Sequence, residues 1–279
     1  MAFTIRDPLP WGDVTAIARE GERLGYEAIF LPETGVRDTL ATLVGLAGET
    51  STLVLGTGVI PMGARTPELA ATAAATVQER SGGRHVLGVG TGGSAPGALD
   101  RLRDYVRAIR RRISGAALEL PAPVPVWIAA LGPRATRLAG EIADGVILNW
   151  CTPDRVAEAR EAVRVAAGEA GRDQDAVTIS VYVRAAFSDR ADEALLAAAT
   201  EYASYPSYAR QFEAMGLEPT PKAIVDAVCL RGDPGVAPER LEAYREAGAH
   251  LAVVYPVLAP RERAEASIAT LRHLAPEVA

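Results

Sequence analysis

Short apolar runs alternate with longer stretches of helical spacing along almost the whole chain. Residues 2–6, 27–33, 53–60, 84–90, 124–130, 145–149, 177–186 and 251–255 read as eight strands. Most are near-continuous apolar runs, the pattern of strands buried on both faces. Helical spacing fills the intervals at 13–26, 39–49, 66–80, 98–113, 133–143, 152–168, 191–215, 221–230, 238–248 and 261–274, with a Tyr-Pro-Ser-Tyr interruption at 205–208. In the first helix Val14, Ile17, Ala18, Gly21 and Leu24 share a face. Thr66-Pro67-Glu68 and Thr152-Pro153-Asp154 are helix starts, each with Thr at the N-cap and Pro in the first turn. Alternating β and α suits a doubly wound sheet or a closed barrel. Eight units at this length favour a (β/α)8 TIM barrel occupying residues 1–279 as a single domain. No linker, charge block or short-period repeat divides the chain.

Composition narrows the function. Hydrophobic residues make up 49% of the 279 and the formal charge is −6, so a large core is available and no basic stripe for nucleic acid is expected. Arg110-Arg111-Arg112, with Arg103 and Arg107, reads as a solvated helix face. No apolar run is long enough for a membrane span, and the first residues lack the basic and apolar regions of a secretory signal. Cys151 and Cys229 are far apart and have no metal-ligand spacing, which suits a reduced, cytoplasmic protein without a metal.

Candidate chemistry gathers where the strands end, the catalytic face of such barrels. The ends read Pro32-Glu33-Thr34-Gly35, Gly56-Thr57-Gly58-Val59, Gly90-Thr91-Gly92-Gly93-Ser94 and Ala129-Ala130-Leu131-Gly132-Pro133-Arg134. Glycines on neighbouring strands either admit a flat ligand close to the backbone or simply make tight turns. The helix opening at Pro133 offers free N–H groups and Arg134 to a phosphate, or is a plain βα turn. Glu33 follows an apolar strand. It is either a proton-handling carboxylate or an acid facing a helix N-terminus. Gly88-Val-Gly-Thr-Gly-Gly93 lacks the frame of a dinucleotide fingerprint. His85, His250 and His273 lie away from the strand ends that would be catalytic. With no nucleophile elbow, the chemistry is expected to come from a cofactor.

Several blocks together resemble the bacterial luciferase-like monooxygenase superfamily, in its branch of deazaflavin (coenzyme F420) dependent oxidoreductases. They are Ala18 through Glu33, Leu55-Gly-Thr-Gly-Val-Ile60 with Arg65-Thr-Pro-Glu-Leu-Ala70, Gly83 through Gly92, Pro125 through Pro133 with Ala143-Asp-Gly-Val146, and Arg240 through Ala249. The resemblance implies a barrel with the cofactor ring against the third to fifth strand ends. Gly58 and Val59, next to Thr57, would back the ring, with a cis Gly58–Val59 peptide at a small bulge. Thr91, Gly92 and Gly93 would flank it, and Ala130, Leu131, Gly132 and Pro133, with Arg134, would lie near its phosphate. It further implies a homodimer and hydride transfer between reduced F420 and a small-molecule substrate; Glu33 is the candidate catalytic carboxylate from its own place, directly after an apolar strand at the catalytic end. FMN-dependent oxygen chemistry and a binding protein that has lost its cofactor are the alternatives. The chain departs from the family where Glu33-Thr34 replaces Asp-His and Gly93 replaces a frequent Glu. It also departs at residues 114–123, which shorten an insertion.

Overall fold

A computed structural model describes residues 1–5, 9–115 and 117–276. The strands are β1 (Ala2–Thr4), β2 (Ala28–Leu31), β3 (Val54–Thr57), β4 (Ile60–Pro61), β5 (His85–Gly90), β6 (Val126–Ala129), β7 (Gly145–Asn149), β8 (Thr178–Ala186), β9 (Leu230–Arg231) and β10 (Leu251–Pro256). The helices are α1 (Trp11–Arg23), α2 (Thr39–Ala47), α3 (Pro67–Arg80), α4 (Ala98–Ser114), α5 (Pro133–Ile142) and α6 (Pro153–Glu169), then α7 (Asp189–Ser204), α8 (Pro206–Ala214), α9 (Pro221–Val228), α10 (Ala237–Glu246) and α11 (Ala264–His273). Parallel pairing runs β1-β2-β3-β5-β6-β7-β8, and β10 pairs with both β8 and β1. These eight strands therefore close into a TIM barrel, as expected. Arg6, the expected end of the first strand, lies outside the described residues.

Alternation along each strand sorts the side chains into two cores. Ile29 and Leu31 of β2 and Val181 and Val183 of β8 point outward into the layer under the helices. Ala28 and Phe30 of β2 and Tyr182 of β8 point inward, where Trp127, Ile147 and Val253 join them to fill the barrel. Phe30 and Trp127 rings meet at 5.4 Å. Both Thr-Pro starts are real caps: Thr66 and Thr152 hydroxyls accept from the N–H of Leu69 and Arg155. The arginine face of α4 is spent on α5 and its flank, with Arg103 bound to Glu141 and Arg110 to Asp144 at 2.8 Å.

Two segments differ from the sequence reading. The run at 53–60 is not one strand, because the chain turns out of β3 at a cis Gly58–Val59 peptide and rejoins β5 as β4. The helix expected over 221–230 stops at Val228, and Leu230 extends to pair with Ala185 at the end of β8. Leu230 is buried there in the layer between the barrel and its helices, a gain that an exposed last helical turn would forgo. Helices α7, α8 and α9 form a third cluster, in which Leu195, Phe212, Ile224 and Val225 pack around Trp150 above the β7 end.

Candidate active site

The strand ends meet in one mouth, and the residues expected there fall into three groups. The first group is structural. Thr57 is fully buried, and its hydroxyl donates to the Gly88 carbonyl at 2.7 Å while accepting from the Gly88 N–H at 2.8 Å, so it stitches β3 to β5. Ala130 is buried at the end of β6, its N–H bonded to Ile147. Gly56 is a packing glycine: a β-carbon there would lie 2.3 Å from the Phe30 ring.

The second group forms a platform. Gly58 and Val59 are half-buried, although they rest on the inner core. Gly58 N–H donates to the Leu31 carbonyl, and Glu33 N–H donates to the Val59 carbonyl, so β2 pins the bulge on both sides. Beneath it lies the Tyr182 hydroxyl, 1.8 Å from where a β-carbon on Gly58 would stand. A side chain at position 58 would therefore have to displace the Tyr182 ring. The Tyr182 hydroxyl is buried without a hydrogen-bond partner among the described residues, and burial raises its pKa. The neighbouring Thr4 hydroxyl is already donated to the Phe30 carbonyl.

The third group borders open space. Thr91 is half-buried, while Gly92, Gly93, Gly132, Pro133 and Arg134 are exposed. Gly92 takes a positive φ of 70°, which fits a glycine turn. A β-carbon on Gly93 or Gly132 would meet nothing within 4 Å. Helix α5 starts at Gly132 without a side-chain cap, and Pro133 brings no N–H of its own, so the first-turn donors of Arg134 and Ala135 have no capping side chain. The strand-end glycines thus divide, with some packing the barrel and others leaving room at its rim. Leu131 is half-buried and its carbonyl accepts from Arg155.

Glu33 is partly buried and firmly held. Its Oε2 accepts from Arg65 at 3.1 Å and from the Thr39 N–H, at the start of α2, at 3.3 Å. Both readings of this residue meet here, because the carboxylate faces a helix N-terminus and also lies at the catalytic end of β2. Arg65 also binds Asp38 at 2.8 Å. Burial disfavours the Arg65 cation, but Asp38 and Glu33 outweigh it and raise the Arg65 pKa. Oε1 of Glu33 has no hydrogen bond to any described residue.

Sequence reasoning missed the opposite side of the mouth. Asn149 ends β7 and Trp150 follows it, Arg184 sits near the end of β8, and Tyr255 ends the inward row of β10. Arg184 is 4% exposed and donates from Nη1 to Asn149 Oδ1 at 2.8 Å. Its guanidinium lies 4.0 Å from the Trp150 ring centre and 5.0 Å from those of Tyr202 and Tyr255. Asn149 in turn donates to the Tyr208 hydroxyl at 2.9 Å. Trp150 holds a left-handed backbone (φ 54°), uncommon for a bulky residue. A visible signal existed: Ser180, Tyr182 and Arg184 recur with period two inside an apolar run, which marks one inward-facing row. A cavity of about 1090 Å³ opens beside Arg184, Tyr202 and Tyr255, bounded by α7 and the segment after β10.

Known proteins bear on this geometry. A 5,10-methylenetetrahydromethanopterin reductase of Methanolobus tindarius is 28% identical over 249 residues, 78% of this chain and 75% of its own. An F420-dependent secondary alcohol dehydrogenase solved with an F420-acetone adduct shares the fold, with a TM-score of 0.79 at 17% identity over 99% of this chain and 98% of its own. The coenzyme F420 dependent tetrahydromethanopterin reductase of Methanopyrus kandleri also shares it, with a TM-score of 0.72 at 21% identity over 97% and 96%. The family model for luciferase-like monooxygenases matches residues 4–251, nearly the whole barrel, and the chain belongs to that family.

Proposed function

We propose that the protein is an oxidoreductase that passes a hydride between reduced coenzyme F420 and a small organic substrate. The observation that carries this reading is the half-exposed Gly58–Val59 platform, with exposed glycines, Gly93 and Gly132, after the neighbouring strands β5 and β6, where a side chain would meet nothing. A flat ring needs such a surface, and the rim glycines fit it. Gly58 and Val59 would back the ring, with Thr91, Gly92 and Gly93 at its edge. Leu131, Gly132, Pro133 and Arg134 would hold the phosphate-bearing chain at the uncapped start of α5. Thr57 and Ala130 would contribute by shaping the strand ends, since their side chains are buried.

When bound, reduced F420 supplies the hydride to an electron-poor carbon. The protein's part is positioning, which can account for a large share of the rate. Val59 offers a stiff β-branched face. The cavity beside Tyr255 is of a size that admits a small molecule. Glu33 is the proposed proton-handling group through Oε1, while Arg65 and the Thr39 N–H fix Oε2. Cys151 and Cys229 are buried and unpaired, in keeping with a cytoplasmic setting. Among the described residues no helix is long and apolar enough to cross a membrane.

Titration of the purified protein with F420 and, separately, FMN tests the reading. Saturable F420 binding and turnover of reduced F420 with an accepted substrate are expected. Binding of FMN alone would move the protein to oxygen chemistry. Binding of neither would make it a barrel without a cofactor.

A further inference from the structure

A buried guanidinium normally has a carboxylate beside it, because an uncompensated charge away from water is costly. Arg184 is 4% exposed and has none among the described residues. Among the described residues it hydrogen-bonds to a neutral amide, Asn149 Oδ1, through Nη1 alone. Three aromatic rings surround the cation and lessen the cost without neutralising it. Nε and Nη2 donate to no described residue, and they form the parallel edge that grips a carboxylate with two bonds. Arg184 also lines the 1090 Å³ cavity, so this edge is within reach of a ligand.

The other charged groups around the cavity do not satisfy it. Glu262 accepts from the Ala259 N–H at 2.7 Å, Glu201 accepts from the Tyr205 hydroxyl at 2.7 Å, and Glu193 stands on the α7 wall. Arg190 on α7 and Arg261 and Arg263 on the segment after β10 add positive charge around the cavity. Position along β8 links this point to the platform. Arg184 lies two residues, about 7 Å, further along the strand than Tyr182, whose hydroxyl abuts Gly58. Arg184 and Tyr182 share the inward row of β8, so the Arg184 site belongs to the same mouth as the platform.

We propose that Arg184 is the specificity-determining residue of the substrate pocket and that the substrate is a small organic carboxylate held by its Nε–Nη2 edge. The reaction role rests on F420 binding at the platform; the carboxylate site does not. Asn149 is a positioning residue that holds Nη1 so that the opposite edge faces the cavity.

The test uses the whole chain with propionate and benzoate as probes and propionamide and benzamide as neutral controls. Thermal unfolding and calorimetry report probe binding, and F420 fluorescence reports the cofactor. In the wild type the carboxylates raise the unfolding temperature and the amides do not. Arg184→Met lowers carboxylate affinity at least tenfold and leaves F420 affinity within twofold. Asn149→Asp, close in shape and so a safeguard if Arg184→Met fails to fold, places a carboxylate on Arg184 and abolishes probe binding. Equal binding of acids and amides, or carboxylate binding that survives in either variant, overturns the proposal. Arg184-dependent carboxylate binding with no F420 binding upholds the site and defeats the cofactor reading.

Discussion

At position 58 packing against Tyr182 restricts what residue can stand there. A β-carbon would meet the Tyr182 hydroxyl at 1.8 Å, in a barrel interior with no slack. Gly58→Ala should cost about 1–3 kcal/mol, the range for overpacking. Adding Tyr182→Phe removes the clashing oxygen and should restore part of that loss in denaturant unfolding. A double mutant no better than Gly58→Ala would show that the contact is not what excludes alanine. Glu33 makes a second prediction. Glu33→Gln should lower turnover about tenfold or more, within the usual contribution of one acid–base group, with the fold retained by circular dichroism. Unchanged kinetics would remove it from the chemistry. His85 lies at the other end of the barrel, fully buried, with Nδ1 on the Leu55 carbonyl at 2.6 Å and Nε2 unpartnered. Burial lowers its pKa from 6.5 to about 4, against the opposing effect of that hydrogen bond. The folded state therefore takes up this proton less readily than the unfolded chain. Stability should be unaffected by it above pH 6.5 and fall between pH 6.5 and 4, by at most about 1.4 kcal/mol per pH unit. A His85→Gln variant should show a flatter profile over that interval. Parallel profiles would contradict the assignment.

The elements were legible where both faces of a strand are buried, because residues such as those of β5 and β7 then form unbroken apolar runs. The turn at Gly58–Val59 was anticipated from the family resemblance and the glycine pattern, although hydropathy alone reads 53–60 as one strand. Composition did not foretell β9, since two residues carry no periodicity and Leu230 is extended only because β8 offers it an edge. The Asn149–Arg184 side of the mouth was also unread. It depends on α7 and α8 folding back over the end of β7 and bringing Tyr202 to Trp150 and Tyr208 to Asn149, each pair more than 50 positions apart. At the start of α5 the sequence left a phosphate site and a plain turn open. The missing side-chain cap and the exposed Arg134 favour the former. Arg134→Ala should weaken cofactor binding by about 1–3 kcal/mol, the loss of a charge-assisted bond. The deficit should shrink in high salt. Equal affinities at low salt would rule the contact out.

Across the whole molecule, β1 and β10 close the ring, so the chain's first and last strands are neighbours. We read residues 1–279 as one barrel domain on that ground. Helix α3 spends Ala70, Ala71 and Ala74 on the barrel wall and turns Leu69, Thr72 and Thr76 outward, with Leu69 55% exposed. We propose that this small, weakly polar face pairs two copies. Sedimentation at micromolar concentration should show a dimer that Leu69→Glu weakens. A monomeric wild type would refute it. The central claim, that the mouth at Gly58–Val59 holds F420, is tested most directly by a crystal structure grown with F420 at saturating concentration. The ring should lie against Val59, with its phosphate at the first turn of α5, near Arg134. A ring bound elsewhere on the barrel, or a mouth without F420 at that concentration, would contradict it.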